Sequence, residues 1–193
     1  MTNENKLPQT TVSIPEGLDL ITLGAGCFWC TEAVFQRLDG VKKVVSGYSN
    51  GLVENPTYKE ICTGTTGHAE VVQVYFDSKK ISLHKLLEVF FATHDPTTLN
   101  KQGADIGPQY RSGIYFVNDK QRQIATDLIN QLNESGVFGK KIVTEVAPLI
   151  SFYPAENYHQ DYYNLNGHQP YCQFVIKPKV NKLEKFFKEE MKS

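Results

Sequence analysis

The chain has 193 residues, enough for one domain with an extension, and its 40% hydrophobic and 21% charged residues are typical of a globular protein. Its formal net charge of −1 at pH 7 argues against a general binder of nucleic acids or anionic membranes, because there is no basic excess to neutralise phosphates. Four cysteines are too few for a scaffold built on disulfides, and they are more than a purely structural core needs.

Residues 1–17 are polar, contain Pro8, Pro15 and Gly17, and predict a loose leader before a single domain over 18–193, with a C-terminal extension from about residue 154. The leader lacks a basic segment followed by an apolar run, and no stretch approaches the ~18 apolar residues of a membrane span. We therefore expect a cytoplasmic protein with no membrane partner, in whose reducing compartment cysteines are more often catalytic or metal-binding than structural.

The first half of the domain predicts strand, helix, strand, strand and helix in that order. Residues 18–24 alternate and then end in Gly24-Ala25-Gly26, which predicts a strand running into a tight turn and a helix after it. Ser82 precedes an apolar stripe at helical spacing, so it is expected to cap the second helix. The predicted elements are strands at 18–24, 41–48 and 71–76, helices at 27–38 and from 83 to the Asp95-Pro96 stop, and a long loop at 49–67.

The second half adds a strand over 110–117 after a loop at 97–109, and then a helix that Asn118 and Gln121 start in the manner of a capping box and Gly136 ends. Residues 142–153 predict one more pair of strands, and 181–192 a short charged helix. The fold class is therefore α+β, with a ferredoxin-like split βαβ core (βαββαβ), an extra helix, extra strands and a long C-terminal segment.

Cys27 follows the glycine turn and is expected in the first turn of a helix. Backbone N–H groups and the positive end of the helix dipole would favour a thiolate there, and a lowered pKa suits a cysteine nucleophile. Phe28 and Trp29 come next, and two large rings at an exposed helix start indicate a pocket. The alternative is that Cys27 is a small buried hydrophobe, as free cysteines commonly are.

Cys27 and Cys30 also form a C-x-x-C pair, which is compatible with two other classes of protein. One is a dithiol–disulfide oxidoreductase of the thioredoxin type, although the element order and the two aromatic residues between the cysteines argue against it. The other is a zinc module, but Cys62 and Cys172 stand alone rather than as a second ligand pair, so we expect no metal.

Three further stretches contain candidate residues that are individually weak. Glu70 begins an apolar strand, where partial burial would raise its pKa and suit it to donate a proton; a surface glutamate is the ordinary alternative. Tyr110 and Asp105 belong to a loop before a strand, and would otherwise be a half-buried tyrosine and a turn residue. Tyr158-His159-Gln160-Asp161 is otherwise a hydrogen-bonded surface cluster.

Taken together, these stretches resemble the class A peptide methionine sulfoxide reductases. Gly26-Cys27-Phe28-Trp29 matches the nucleophile signature of that family, and 66–70, Thr-Gly-His-Ala-Glu, matches its acid segment. Residues 105–111 match its tyrosine segment and Tyr158-His159-Gln160 its C-terminal segment. The likeness extends over roughly 20–178, and four motifs occur in the family's order.

The resemblance implies a role for each matched residue. Cys27 would be the nucleophile and Glu70 the proton donor, with Tyr58 and Tyr110 holding the sulfoxide oxygen. Phe28 and Trp29 would hold the methyl group of the substrate, and Asp105 would position it. A sulfoxide is polar at oxygen and apolar at its S-methyl group, so aromatic rings beside an acid and hydroxyl groups are complementary to it.

The same resemblance implies thiol-dependent reduction of methionine S-sulfoxide, free or in proteins, and hence repair of oxidised proteins. Cys27 would become a sulfenic acid, a second cysteine would form a disulfide with it, and thioredoxin or another dithiol would reduce that disulfide. No bound cofactor is implied. The expected partners are oxidised proteins, free methionine sulfoxide and thioredoxin, with no nucleic acid, and the enzyme is expected to be a monomer.

The sequence departs from the family pattern around the second cysteine. Cys30 stands where relatives commonly have glycine, and Pro170-Tyr171 precedes Cys172 where they commonly have Gly-Tyr. Family analogy favours Cys172 as the resolving cysteine, whereas proximity in a C-x-x-C pair favours Cys30 as the alternative. Cys62 is expected to be structural.

Overall fold

The computed structural model describes residues 12–193, and a six-stranded mixed sheet with helices forms its framework. The strands of the sheet are β1 (Asp19–Ala25), β2 (Val41–Ser49), β3 (Ala69–Phe76), β6 (Ser112–Phe116), β7 (Glu145–Pro148) and β8 (Phe152–Pro154). A small hairpin adds β4 (Lys101–Gln102) and β5 (Asp105–Ile106). The sheet order is β7-β6-β1-β3-β2-β8; of these described strand pairs, β6–β7 is parallel and the others are antiparallel.

Six α-helices among the described residues accompany the sheet. They are α1 (Phe28–Phe35), α2 (Tyr58–Cys62), α3 (Leu83–Ala92), α4 (Asp119–Ser135), α5 (Tyr162–Asn166) and α6 (Lys177–Phe186). A π-helical segment, Cys172–Ile176, leads directly into α6. None of the helices within 12–193 combines the length and hydrophobicity needed to cross a bilayer.

The core lies between the sheet and the helices that the apolar stripes predicted. Leu86, Leu87 and Phe90 of α3 are fully buried beside Ile21 and Val74 of the central strands. Burial of side chains of this size contributes roughly 1.5–3 kcal/mol each. The centre of the sheet is therefore a rigid support for the residues at its edges and ends.

Two predicted helix starts are confirmed in atomic detail. The Lys85 backbone N–H donates to Ser82 Oγ at 3.1 Å, so Ser82 caps α3. The Gln121 N–H donates to Asn118 Oδ1 at 2.9 Å, so Asn118 caps α4, which ends at Gly136 in the left-handed conformation. These caps are local, which is why the sequence reveals them.

The predicted strand pair within 142–153 is wrong in its pairing. β7 pairs with β6 at one edge of the sheet, and β8 pairs with β2 at the other. Asn50 stabilises the segment that connects β7 to β8. Its Oδ1 accepts a hydrogen bond from the Ile150 N–H at 2.8 Å, and its Nδ2 donates one to the Pro148 carbonyl at 2.8 Å. Gly47 also allows the Phe152 ring to lie directly against β2.

Several boundaries also differ from prediction. The loop at 49–67 contains α2, which starts with a capping box of Thr57 and Glu60. The last predicted helix lies at Lys177–Phe186 instead of 181–192. Of the predicted leader, 1–11 lie outside the described residues and 12–17 form neither helix nor strand. The division into a leader and one catalytic domain over 18–193, with an extension from about 154, stays a prediction.

Candidate active site

Cys27 lies where β1 turns into α1. Gly26 makes this turn with a φ of +85°, and a Cβ at this position would overlap the Gln102 side chain. Cys27 is the residue before α1 rather than part of its first turn, and its carbonyl accepts the Cys30 N–H at 3.1 Å. The half-buried thiol thus sits at the helix start, one residue earlier than predicted.

Glu70 is tied to the same helix start. Its side chain is 2% exposed on β3, opposite Tyr48 of β2, and its Oε2 accepts the Phe28 N–H at 3.1 Å. Burial raises the pKa of Glu70 to about 8, even though the Phe28 hydrogen bond favours the ionised form. The expectation of a raised pKa is confirmed, and Glu70 is mostly protonated at neutral pH.

The expected lowering of the Cys27 pKa is wrong in direction. Burial raises the pKa of the Cys27 thiol, and its hydrogen bond to Cys30 and the charge of ionised Glu70 raise it further. The Phe28 N–H, which the helix dipole would offer to a thiolate, is occupied by Glu70. The N–H group at the helix start therefore stabilises the Glu70 carboxyl group rather than the Cys27 thiol.

Cys30 is the thiol that ionises more readily in this pair. The Cys27 thiol donates a hydrogen bond to it, and this lowers the pKa of Cys30 to about 7 despite burial. The Cys30 Sγ lies 3.7 Å from the Tyr171 hydroxyl, which donates to Asp105 Oδ2 at 3.0 Å. Asp105 thus contacts the C-terminal segment in this structure.

Cys172 lies in the same region but is fully enclosed. Its side chain packs with Cys30, Ala33, Ile176 and Val180 in a small apolar cluster between α1 and the C-terminal helical segment. Burial raises the pKa of the Cys172 thiol, and the charge of ionised Cys30 raises it further. Cys30 is therefore in contact with both the Cys27 side and the Cys172 side of the site.

The two aromatic residues after Cys27 lie in different environments. Trp29 is half-buried; its ring stacks on Tyr162 with centroids 3.7 Å apart, and its Nε1 donates to His159 Nδ1 at 3.1 Å. Phe28 is 1% exposed and packs against Tyr48 and His159. Trp29 thus has a partly open surface, whereas Phe28 is part of the core, and substrate contact by either ring stays a prediction.

The two predicted tyrosines reach the site from different loops. Tyr58 begins α2, and its ring lies 4.4 Å from that of His159. Tyr110 ends a 3-10 turn. Burial is the main reason that the pKa of each hydroxyl is raised, followed by a hydrogen bond to Cys62 for Tyr58 and the Glu70 charge for Tyr110. Both hydroxyls therefore remain protonated and can donate.

Sequence reasoning missed the residues that hold the C-terminal segment against the site. Glu32 of α1 is 1% exposed and accepts the backbone N–H groups of Asp161 at 2.8 Å and Tyr162 at 3.3 Å. Burial raises its pKa to about 7. Glu156 accepts from the Tyr48 hydroxyl at 3.0 Å and the Tyr58 N–H at 3.2 Å. A glutamate in the otherwise apolar α1 was the available signal for Glu32.

Within 12–193 no three His, Cys, Asp or Glu side chains are arranged to hold a metal ion.

A family model described as peptide methionine sulfoxide reductase matches residues 19–191. The chain is 55% identical over 174 residues to peptide methionine sulfoxide reductase MsrA of Trichodesmium erythraeum, which covers 90% of this chain and 98% of that protein. Mxr1 of Saccharomyces cerevisiae in its reduced form is similar in structure, with a TM-score of 0.78 and 38% identity over 86% of this chain and 96% of that chain. Mxr1 in complex with Trx2 is similar as well, with a TM-score of 0.57 and 30% identity over 81% and 93% of the two chains.

Proposed function

Since the chain belongs to the peptide methionine sulfoxide reductase family, we propose that Cys27 is the nucleophile and Glu70 the proton donor of this enzyme. The main support for this assignment is Glu70, which is buried, largely protonated and hydrogen-bonded to the backbone N–H of Phe28, the residue after Cys27. The family favours sulfoxide reduction over the thioredoxin-type oxidoreductase and the zinc module.

The chemistry of the first step follows from these two groups. The Cys27 sulfur attacks the sulfoxide sulfur, and Glu70 gives its proton to the sulfoxide oxygen, with the hydroxyls of Tyr58 and Tyr110 donating hydrogen bonds to it. The oxygen passes to Cys27 as a sulfenic acid, methionine leaves, and the thiol proton is released. The S–O bond of the substrate and the transient bond between the two sulfurs break as a new S–O bond forms on Cys27.

For the substrate, we propose the S epimer of methionine sulfoxide, free or in oxidised proteins whose repair the enzyme would serve. The partly open Trp29 ring and the neighbouring Phe28 would receive the S-methyl group, and Asp105 would position the substrate. Asp105 accepts a hydrogen bond from Tyr171, so a substrate that used this carboxylate would have to share it with the tyrosine or displace it.

For the reductant, we propose thioredoxin, with another dithiol as a substitute and no bound cofactor or metal. The complex of Mxr1 with Trx2 supports a partner of this kind. We also propose that the enzyme acts in the cytoplasm as a monomer, without binding nucleic acids or membranes; the near-zero net charge supports the absence of a polyanionic partner.

For the fold, we propose that β6-β1-β3-β2 and the helices α1 and α3 form a split βαβ core of the ferredoxin-like kind. The antiparallel pairs β6–β1, β1–β3 and β3–β2 support this description. β7 and β8 then extend the core at its two edges, and the C-terminal segment covers α1.

Cys30 and Cys172 remain the candidates for the resolving cysteine. The contacts favour Cys30, the reverse of the order that the resemblance implies, because Cys30 is hydrogen-bonded to Cys27 and has the lower pKa. Cys172 is fully buried in the cluster beyond Cys30, so the helical segment around it would have to move before it could reach Cys27.

Thiol counting separates these two candidates. One equivalent of sulfoxide without reductant should remove two free thiols from both the wild type and Cys172→Ser, and peptide mapping should give a Cys27–Cys30 disulfide. Cys30→Ser should instead accumulate a sulfenic acid that a dimedone-type reagent traps. A Cys27–Cys172 disulfide in the wild type, formed as fast as methionine, would return the resolving role to Cys172.

The proposed function is tested by epimer-resolved turnover. With thioredoxin, its reductase and a reduced nicotinamide, the enzyme should consume the S epimer of a methionine sulfoxide peptide and leave the R epimer. Insulin reduction by the enzyme with dithiothreitol, without thioredoxin, its reductase or sulfoxide, serves as the comparison. Rapid insulin reduction with no sulfoxide turnover would contradict the proposal and favour a thioredoxin-type oxidoreductase.

A further inference from the structure

A small cavity adjoins the two cysteines at the start of α1, and it contains one unused charged group. The cavity holds about 100 Å³, and its lining includes Cys27, Cys30, Asp105, Tyr171 and Lys179. Lys179 is the cationic side chain among the described residues that line it. None of the roles assigned so far uses this lysine.

Lys179 lies in the first turn of α6, directly after the π-helical segment that contains Cys172. It is half-buried and takes part in none of the ion pairs found among residues 12–193. A half-buried ammonium group without a carboxylate partner interacts more strongly with nearby charge than a solvated lysine does, because less water screens it. Besides the Asp105 carboxylate, the negative charge that Lys179 can favour in this cavity is that of a thiolate.

The groups around Cys30 have opposing effects on that thiolate. Cys27 stabilises it by a hydrogen bond, the positive charge of Lys179 attracts it, and the Tyr171 hydroxyl lies within 3.7 Å. Asp105 on β5 repels it, whereas Glu70 on β3 is mostly neutral at pH 7. The thiol of Cys172 is also mostly protonated, since its pKa is raised. Lys179 is therefore the fixed positive charge that opposes Asp105.

We propose that Lys179 is a positioning residue for the second half of the reaction, in which it holds Cys30 as the thiolate that attacks the oxidised Cys27. The inference rests on the proposed function and adds a residue to it. In the step, the Cys30 sulfur forms a bond to the Cys27 sulfur, the S–OH bond of the sulfenic acid breaks, and hydroxide leaves and takes up a proton as water. Cys30 is oxidised and the Cys27 sulfur is reduced, so no further reactant is needed until the dithiol arrives.

Lys179→Gln tests the role, with Lys182→Gln as the matched control on the exposed face of the same helix. In single turnover by rapid quench, methionine formation reports the first step and loss of the second thiol reports the disulfide. We expect the pH midpoint of disulfide formation to rise by about one unit in Lys179→Gln, which lowers its rate at pH 7 about fivefold. Methionine formation should be unchanged, Lys182→Gln should behave like wild type, and Lys179→Arg should restore the midpoint.

Alkylation supplies a readout that needs no turnover. Iodoacetamide labelling of Cys30 is mapped by mass spectrometry across the pH range. The pH midpoint of labelling should rise by the same amount in Lys179→Gln and return to the wild-type value in Lys179→Arg. Equal midpoints for wild type and Lys179→Gln in both measurements would overturn the role of Lys179. Failure of the wild type to form any methionine would instead overturn the proposed function, so the two failures are distinguishable.

Discussion

Replacing Cys27 with serine should lower kcat/KM for sulfoxide reduction by at least about 10⁴-fold, on the scale that loss of a covalent nucleophile costs other enzymes. Cys27 is the cysteine at the helix start beside the protonated Glu70, and a serine hydroxyl there is a far weaker nucleophile towards sulfur. Turnover with thioredoxin and single-turnover methionine release should both disappear.

Cys62→Ser is the control for this substitution. Cys62 is exposed at the end of α2, and a serine can keep a hydrogen bond to Tyr58. The Cys62→Ser variant should therefore keep a kcat/KM within about twofold of the wild-type value. Methionine release by Cys27→Ser at more than one hundredth of the wild-type rate would remove Cys27 from the role of nucleophile.

Glu70→Gln should slow the sulfoxide step by roughly 10²–10⁴-fold, the usual contribution of a general acid. The glutamine keeps the size and a carbonyl that can accept the Phe28 N–H, but it has no acidic proton to give. Glu134→Gln on the exposed face of α4 is the control and should leave the rate unchanged.

The pH dependence should identify the same group. The pKa of folded Glu70 is raised to about 8, so the proton donor is present below that pH, and the rate of the first step should fall as the pH rises through about 8. Glu70→Gln should lose this decline. A decline near pH 8 that persists unchanged in Glu70→Gln would show that another group causes it.

The pH dependence of the stability of the fold should also depend on the Glu70 carboxyl group. Because folding raises its pKa, Glu70 contributes most to stability below the pKa of the unfolded chain, and this contribution is lost as the pH rises through about 8. Glu70→Gln removes this dependence. Its melting temperature should therefore exceed that of the wild type at pH 9 by more than it does at pH 6, even though activity is lost.

The parts of the fold and site that depend on neighbouring residues were predictable. The Gly-Ala-Gly turn before Cys27, the caps at Ser82 and Asn118, and a Glu70 with a raised pKa each depend on a few adjacent residues or on one strand. The short helix at Tyr58 was missed because five residues give too little periodicity to recognise.

The parts that depend on distant residues were not predictable in this way. The Cys30–Tyr171 contact joins residues 141 positions apart, and the bonds from Asp161 and Tyr162 to Glu32 span 129 and 130 positions. The direction of the Cys27 pKa depends on Glu70 taking the Phe28 amide, 42 positions away. Helix position alone therefore gave the wrong sign for that thiol.

The stacking of Trp29 on Tyr162 has a practical consequence, because this chain has a single tryptophan. All indole emission comes from a ring two residues from the nucleophile and hydrogen-bonded to His159. A change in the intensity or wavelength of that emission reports on the cysteines and on the C-terminal segment rather than on the protein as a whole. The enzyme thus has an intrinsic fluorescent probe with which stopped-flow experiments can time oxidation and re-reduction without a label.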